Sequence, residues 1–376
     1  MIRSGKSMRS EQVLADKRPL SLNIMGWVPF TKSLPLKPND EIRQQKRKER
    51  ETKKVGPKKN IYALIVTLVS CQPTVYRTIY VDKLGRGNFS TIQSAINSIP
   101  SNNTRWICIS VMAGHYNEQV KIPKEKPFIY LKGEAKKRTS VIWGSPGTPF
   151  TSPTFSSLAD NILVKRMTFM NSYNYPPKKG SRLTQAIAAL IAGDKSAFYQ
   201  CSFLGLQDTL LDSRGRHYFK SCNIVGAFDF IYGAGQSIYE GCTITVINGG
   251  IDNKLAGFIT AQGRESPNDP NGFVFKNCKI VGPRLAYLGR AWREYARVIF
   301  FNSSFQASIV PQGWDAWAAT GHVYRTTFVE QNCYGRGAKT SGRVKWEKRL
   351  SSTELKHFTS ISYIDKEGWL NKQPKY

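Results

Sequence analysis

The chain has 376 residues, 40% of them hydrophobic, which supports a substantial core and leaves room for two domains or for one long solenoid. The formal net charge is +29, of which residues 1–60 contribute 16 Lys/Arg against 6 Asp/Glu, leaving about +19 on the remainder. That remaining charge is scattered over strands and loops with no recognised nucleic-acid motif, so an acidic polymer is the better match for the folded part. There are 7 cysteines but no Cys-x-x-Cys pair, which argues against zinc.

Residues 1–60 carry little apolar periodicity and close on a dense Lys/Arg run. Such a composition buries too little apolar surface to offset chain entropy, so a disordered basic leader is expected. Residues 61–76 follow as an apolar segment that is too short to span a bilayer. It has the size of a secretory signal core, with Ser70 and Cys71 near a possible cut, although an ordinary buried strand would look the same. Residues 77–370 then read as one domain. Thr78 to Val81 is strand-like. From Thr91 a short amphipathic helix is expected, with Ile92, Ala95, Ile96 and Ile99 on one face and Pro100 after its end. Such a helix suits the open end of a solenoid, whose first coil would otherwise expose its core. Strands and turns dominate to about Phe328, and a capping-box sequence at Ser351 to Glu354 begins a helix. Residues 371–376 are a tail. Sequons at Asn88, Asn102 and Asn302 are compatible with secretion and glycosylation.

The middle of the chain repeats. Segments 164–169, 198–203, 219–224, 239–244, 275–280 and 300–305 share one pattern. Most open on an aromatic, continue through two mostly polar residues to Met167, Cys201, Cys222, Cys242, Cys278 or Ser303, and end on a polar and an apolar residue. Those six positions are 34, 21, 20, 36 and 25 residues apart, the spacing of coils with loop insertions in two of them. The cysteine and the apolar residue two positions on face the same side of a strand. The cysteines are either small core residues or partners in bridges between stacked coils. Gln185 and Gln207 are separated by 22 residues and Asp208 and Asp229 by 21, so one coil apart they become spatial neighbours. Stacked strands lie roughly 4.8 Å apart. Two amides and two carboxylates would therefore meet in one polar cluster. Two carboxylates so close resist joint ionisation, so one pKa rises. Amides suit an oxyanion site because they donate without titrating.

Five motifs occur in order: Gly114-His-Tyr116-Asn-Glu118, Gln185-Ala-Ile-Ala-Ala-Leu190, Gly205-Leu-Gln207-Asp208-Thr-Leu210, Asp229-Phe-Ile-Tyr232-Gly233 and Leu288-Gly-Arg290-Ala291-Trp292. Together they resemble the motif set of plant pectin methylesterases, the pectinesterase family, over about residues 77–370. The resemblance implies an all-β fold, a right-handed parallel β-helix with short capping helices. It implies a monomeric enzyme, secreted to the cell wall, that hydrolyses galacturonate methyl esters of homogalacturonan to carboxylates and methanol. Asp229 is then the nucleophile and Asp208 the proton donor, later the base toward water. Gln207 stabilises the transition state and Gln185 assists. Arg290 orients the nucleophile and keeps it charged, Trp292 lines the sugar site, and Trp314 is either a subsite residue or packing. No metal or cofactor is required. A proteinaceous pectinesterase inhibitor is an expected partner, and neither nucleic-acid binding nor a transmembrane span is expected. The inhibitor-like helical domain of many plant members has no counterpart in residues 1–76. Ala291 replaces the usual Pro, relaxing one φ, and Tyr232 replaces the usual Phe.

Taken singly, each residue has a plainer explanation. The aspartates suit turns, the glutamines a structural amide ladder, and Arg290 an internal ion pair. A polygalacturonase or pectate lyase is the nearest rival, and a non-catalytic pectin-binding solenoid another. A Ser-His-Asp esterase is disfavoured, because no Gly-x-Ser-x-Gly is present and only His115 falls within a motif.

Overall fold

A computed structural model describes residues 75–134, 139–178, 183–248 and 255–375. The expected basic leader and the signal-like run 61–70 lie outside the described residues.

The described residues form three parallel sheets of ten, eight and eight strands, and successive coils take one strand from each in fixed order. One coil runs through Ser196–Tyr199, Ser202–Leu204 and Leu210–Asp212, and the next through Arg216–Lys220, Asn223–Gly226 and Ile231–Gly233. The fold is a parallel β-helix. Identical register in neighbouring coils stacks like on like: Phe198, Phe219, Tyr239, Phe275 and Phe300 are successive partners in the ten-stranded sheet. Their rings pile with centroids 5.1, 4.5, 4.6 and 4.5 Å apart. This aromatic column is the spine of the core and the physical meaning of the repeated segment.

The turn from the first sheet to the second has two residues. Its first residue is left-handed in every one of these coils: Arg166, Gln200, Ser221, Gly241, Asn277, Asn302 and Asn332, with φ between 48° and 61°. Asn and Gly accept this conformation most readily, and it throws the following side chain inward. That following residue is Met167, Cys201, Cys222, Cys242, Cys278 or Ser303, all buried, and then Cys333, half-buried. Among the described residues these cysteines form no disulfide, so the bridged alternative between stacked coils is overturned. Instead Cys222, Cys242 and Cys278 donate to the carbonyls of Phe198, Phe219 and Tyr239 in the preceding coil, at 3.3, 3.4 and 3.2 Å. The two long spacings are insertions between the second and third sheets (172–188 and 247–256) and after Gly257–Gln262.

Helix α1 (Ile92–Asn97) starts on Thr91 as expected, with Ile92, Ala95 and Ile96 buried in the main core over the first coils. The Glu118 carboxylate accepts from the backbone N–H of Ile92 and Gln93 at 2.8 and 2.9 Å, so this motif residue anchors the cap. Helix α2 (Ser352–Thr359) has the capping box of Ser351 and Glu354. Its Leu355 and Phe358, with Tyr363, Ile364 and Trp369, cover the outer face of the ten-stranded sheet against Tyr130, Leu163 and Tyr218. Inside the solenoid, Asp212 accepts from Tyr239 Oη at 2.7 Å and faces His217 Nδ1 at 2.6 Å, while His217 Nε2 faces the Gly193 carbonyl at 2.8 Å. All these polar groups are paired, as burial requires. Among the described residues, no helix is long and apolar enough to cross a membrane.

Candidate active site

The connection from the second sheet to the third delivers the polar cluster. Gln185 bridges Gln207 in parallel, and Gln207 bridges Phe228, so Asp208 and Asp229 occupy corresponding places in adjacent coils. The Asp208 N–H donates to the Phe228 carbonyl at 3.1 Å, locking that register. Both aspartates are left-handed, with φ of 61° and 45°, and both are buried, 5% and 8% exposed. Non-glycine residues enter this region rarely, and two acids doing so side by side are held there by the coils around them. Gln207 is half-buried and Gln185 exposed.

Arg290 arrives from strand Ala286–Ala291, two coils further on. Its Nε donates to Asp229 Oδ1 at 2.8 Å and its Nη2 to Asp229 Oδ2, a bidentate pair. The strand runs straight through Ala291, which is buried and pairs with Gln262. Trp292 N–H then donates to the Gln262 carbonyl at 3.1 Å, so the sheet register carries on past Ala291. A Cβ on Gly263 would meet the Trp292 ring at 2.8 Å, so glycine is what lets the indole lie there. Trp292 is half-buried against Tyr232, centroids 5.9 Å apart.

Burial and the neighbouring Asp229 charge push the Asp208 carboxyl up to about 7, against Arg290 and Gln185, which pull it down. Burial also raises Asp229 above its ordinary value, although the Arg290 hydrogen bonds and charge oppose it; Asp315 adds a smaller upward push. The Tyr232 hydroxyl is buried without a hydrogen-bond partner, and burial plus both aspartates push its pKa well up.

A groove of about 950 Å³ runs along the outer face of the third sheet. Leu190, Leu211, Tyr232 and Trp292 form its floor, and Lys121, Arg214 and Arg293, the last ion-paired with Glu265 of the same wall, give it net positive charge. Asp208 and Asp229 are not among its walls. They lie at its margin, joined to it through Tyr232 and Trp292.

Trp314 falls elsewhere. It is 1% exposed and stacks on Phe328 at 4.6 Å, so it offers no face to a sugar and is core. The aromatic at the site from that run is Trp317, 44% exposed, whose ring lies 3.8 Å from Arg290 Cζ. Phe258, absent from every motif, meets the same guanidinium at 4.4 Å. A single exposed Trp after Gly-Trp-Asp-Ala was the only sequence signal for the first; nothing marked the second.

A solenoid with a basic groove and a buried carboxylate pair at its rim has the form of an enzyme acting on a polymer. Comparison with known proteins agrees: residues 78–367 match the pectinesterase family. The chain is 52% identical over 300 residues to Probable pectinesterase 29 of Arabidopsis thaliana, covering 79% of this chain and 89% of that protein. It is 36% identical over 308 residues to Pectinesterase QRT1 of the same plant, 79% of each chain. Among solved structures, the pectin methylesterase from carrot superposes with a TM-score of 0.74 at 31% identity, covering 81% of this chain and 98% of that one. The Aspergillus niger enzyme gives 0.67 at 29% identity, with 78% and 95% covered. The chain belongs to the pectinesterase family and is a carboxylic ester hydrolase of the pectin methylesterase type.

Proposed function

We propose that the chain removes methyl groups from homogalacturonan with Asp229 as nucleophile and Asp208 as acid and base. The ionised Asp229 attacks the ester carbonyl carbon, and the electron pair moves to the carbonyl oxygen. The amides of Gln207 and Gln185 donate to that oxyanion. Its collapse breaks the bond to methoxide, which takes the Asp208 proton and leaves as methanol. Asp208, now ionised, draws a proton from water. The hydroxide adds to the acyl–Asp229 anhydride, and collapse restores ionised Asp229 and frees the galacturonic acid, which gives up its proton to solvent as the carboxylate, while Asp208 keeps the proton drawn from water. Trp292 presents a ring to the sugar, and Lys121, Arg214 and Arg293 attract free carboxylates on the polymer.

The observation that carries this reading is the asymmetry of the pair. Both oxygens of Asp229 are engaged by Arg290, while the Asp208 carboxyl, similarly buried, is pushed up to about 7. Burial thus raises both carboxyls, and the Arg290 hydrogen bonds and charge oppose that rise most directly at Asp229, the asymmetry the scheme needs. Secretion to the cell wall, where this polymer resides, and inhibition by a protein that covers the groove belong to the same proposal. The deciding experiment is methanol release from methylated pectin by Asp229→Asn, an almost isosteric change to a far poorer nucleophile. Turnover should vanish with circular dichroism unchanged. A folded Asp229→Asn protein with near wild-type turnover sinks the mechanism.

A further inference from the structure

We propose that Trp317 is a positioning residue: its ring, together with that of Phe258, fixes the plane of the Arg290 guanidinium so that both oxygens of Asp229 are engaged at once. This inference rests on the reading of Asp229 as nucleophile and extends it to a residue in a separate turn.

A bare arginine–carboxylate pair at a groove margin is weakly ordered, because water competes for both partners. Here the side chains keep 24% and 11% exposure, yet two ring faces meet the guanidinium carbon, Trp317 at 3.8 Å and Phe258 at 4.4 Å. Guanidinium is weakly hydrated and stacks on aromatic faces, which excludes water from its flat surfaces and leaves its edge free for hydrogen bonds. The Phe258 wall is built into the sheet. It is the register partner of Tyr287, and the two rings stack at 4.9 Å and 6°.

The Trp317 wall is held by its turn. Its φ is +37°, an outlying conformation for a bulky residue. Its N–H donates to Asp315 Oδ1 at 2.9 Å, and its carbonyl accepts from Thr320 Oγ1 at 2.7 Å. Asp315 is the register partner of Arg290 itself, so the acid that pins the turn sits one strand from the guanidinium. Trp317 stays 44% exposed and is held over Arg290, and strain of this kind gathers where position matters.

The test compares Trp317→Leu, Trp317→Phe and Arg290→Gln by methanol release from methylated pectin, with kcat and KM separated across pH and melting temperature recorded. Leu keeps an apolar side chain, smaller than the indole, without a π face. It should lower kcat about 10-fold, between the scales of an exposed and a desolvated cation–π contact, with KM nearly unchanged. Its acidic limb should move to higher pH, because the Arg290 hydrogen bonds and charge that favour ionised Asp229 slacken. Trp317→Phe keeps a ring and should restore kcat to within about 3-fold, and the limb with it. Wild-type kcat with a raised KM in the Leu variant would make Trp317 a sugar platform and overturn the proposal. A loss equal at every pH, with a lower melting temperature and no rescue by Phe, would make it merely structural. Arg290→Gln separates the two levels. If it keeps full turnover, the reading of the Asp229–Arg290 pair fails; if it is dead while Trp317→Leu is normal, only the clamp is retired.

Discussion

The sharpest consequence of the buried pair is that one substitution should abolish activity and stabilise the protein in a pH-dependent way. Asp208 is 5% exposed, and burial with the Asp229 charge raises its carboxyl from 3.8 to about 7. A carboxyl so raised keeps its proton when folded and sheds it on unfolding. Its burial therefore costs nothing below the unfolded pKa near 4, and the cost grows until pH passes about 7. The rise corresponds to about 4 kcal/mol at pH 8. Asp208→Asn retains the shape and cannot ionise, so it escapes that cost. It should melt on the order of 5–10 °C above wild type at pH 8 and no higher than wild type at pH 4. The same variant lacks the proton donor for methoxide, a loss of roughly 10²–10⁴ in rate. In the wild type, turnover should fall as pH rises through about 7, where Asp208 loses the proton it must donate. The assays are differential scanning calorimetry at both pH values and methanol release. If the melting difference is the same at pH 4 and pH 8, Asp208 titrates as an ordinary surface carboxyl and the electrostatic argument is wrong.

Two further outcomes follow from the same structure. Gln207→Ala should reduce kcat by on the order of 10²–10³ with little change in KM, since an oxyanion donor acts only once charge develops; methanol kinetics would reveal a pure KM effect instead if the amide only binds ground-state substrate. Protein extracted from the cell wall should begin between residues 71 and 77, because the apolar run and small residues before it have the form of a signal core and cut; Edman sequencing that finds residues 1–60 retained rules this out.

Much of this was legible in the residues alone. In a solenoid, sequence distance becomes spatial distance at a constant rate, so steps of 22 and 21 residues already placed Gln185 beside Gln207 and Asp208 beside Asp229. The recurring aromatic and cysteine marked the stacked column, and the apolar face after Thr91 and the capping box at Ser351 announced the two helices through signals that span only a few residues. Tertiary structure decided what depends on chain separated by irregular insertions or on a single dihedral. Arg290 meets Asp229 across 61 residues, a separation that no repeat length predicts. The cysteines could have bridged, and only the inward throw of the left-handed turns set each thiol on a carbonyl of the coil before it. Trp314 and Trp317 are three residues apart and chemically identical. One lies in the core and the other on a guanidinium because the strand ends at Asp315 and Trp317 enters the next turn with a φ of +37°, and hydrophobic pattern, which counts only residue type and spacing, carries no record of that dihedral.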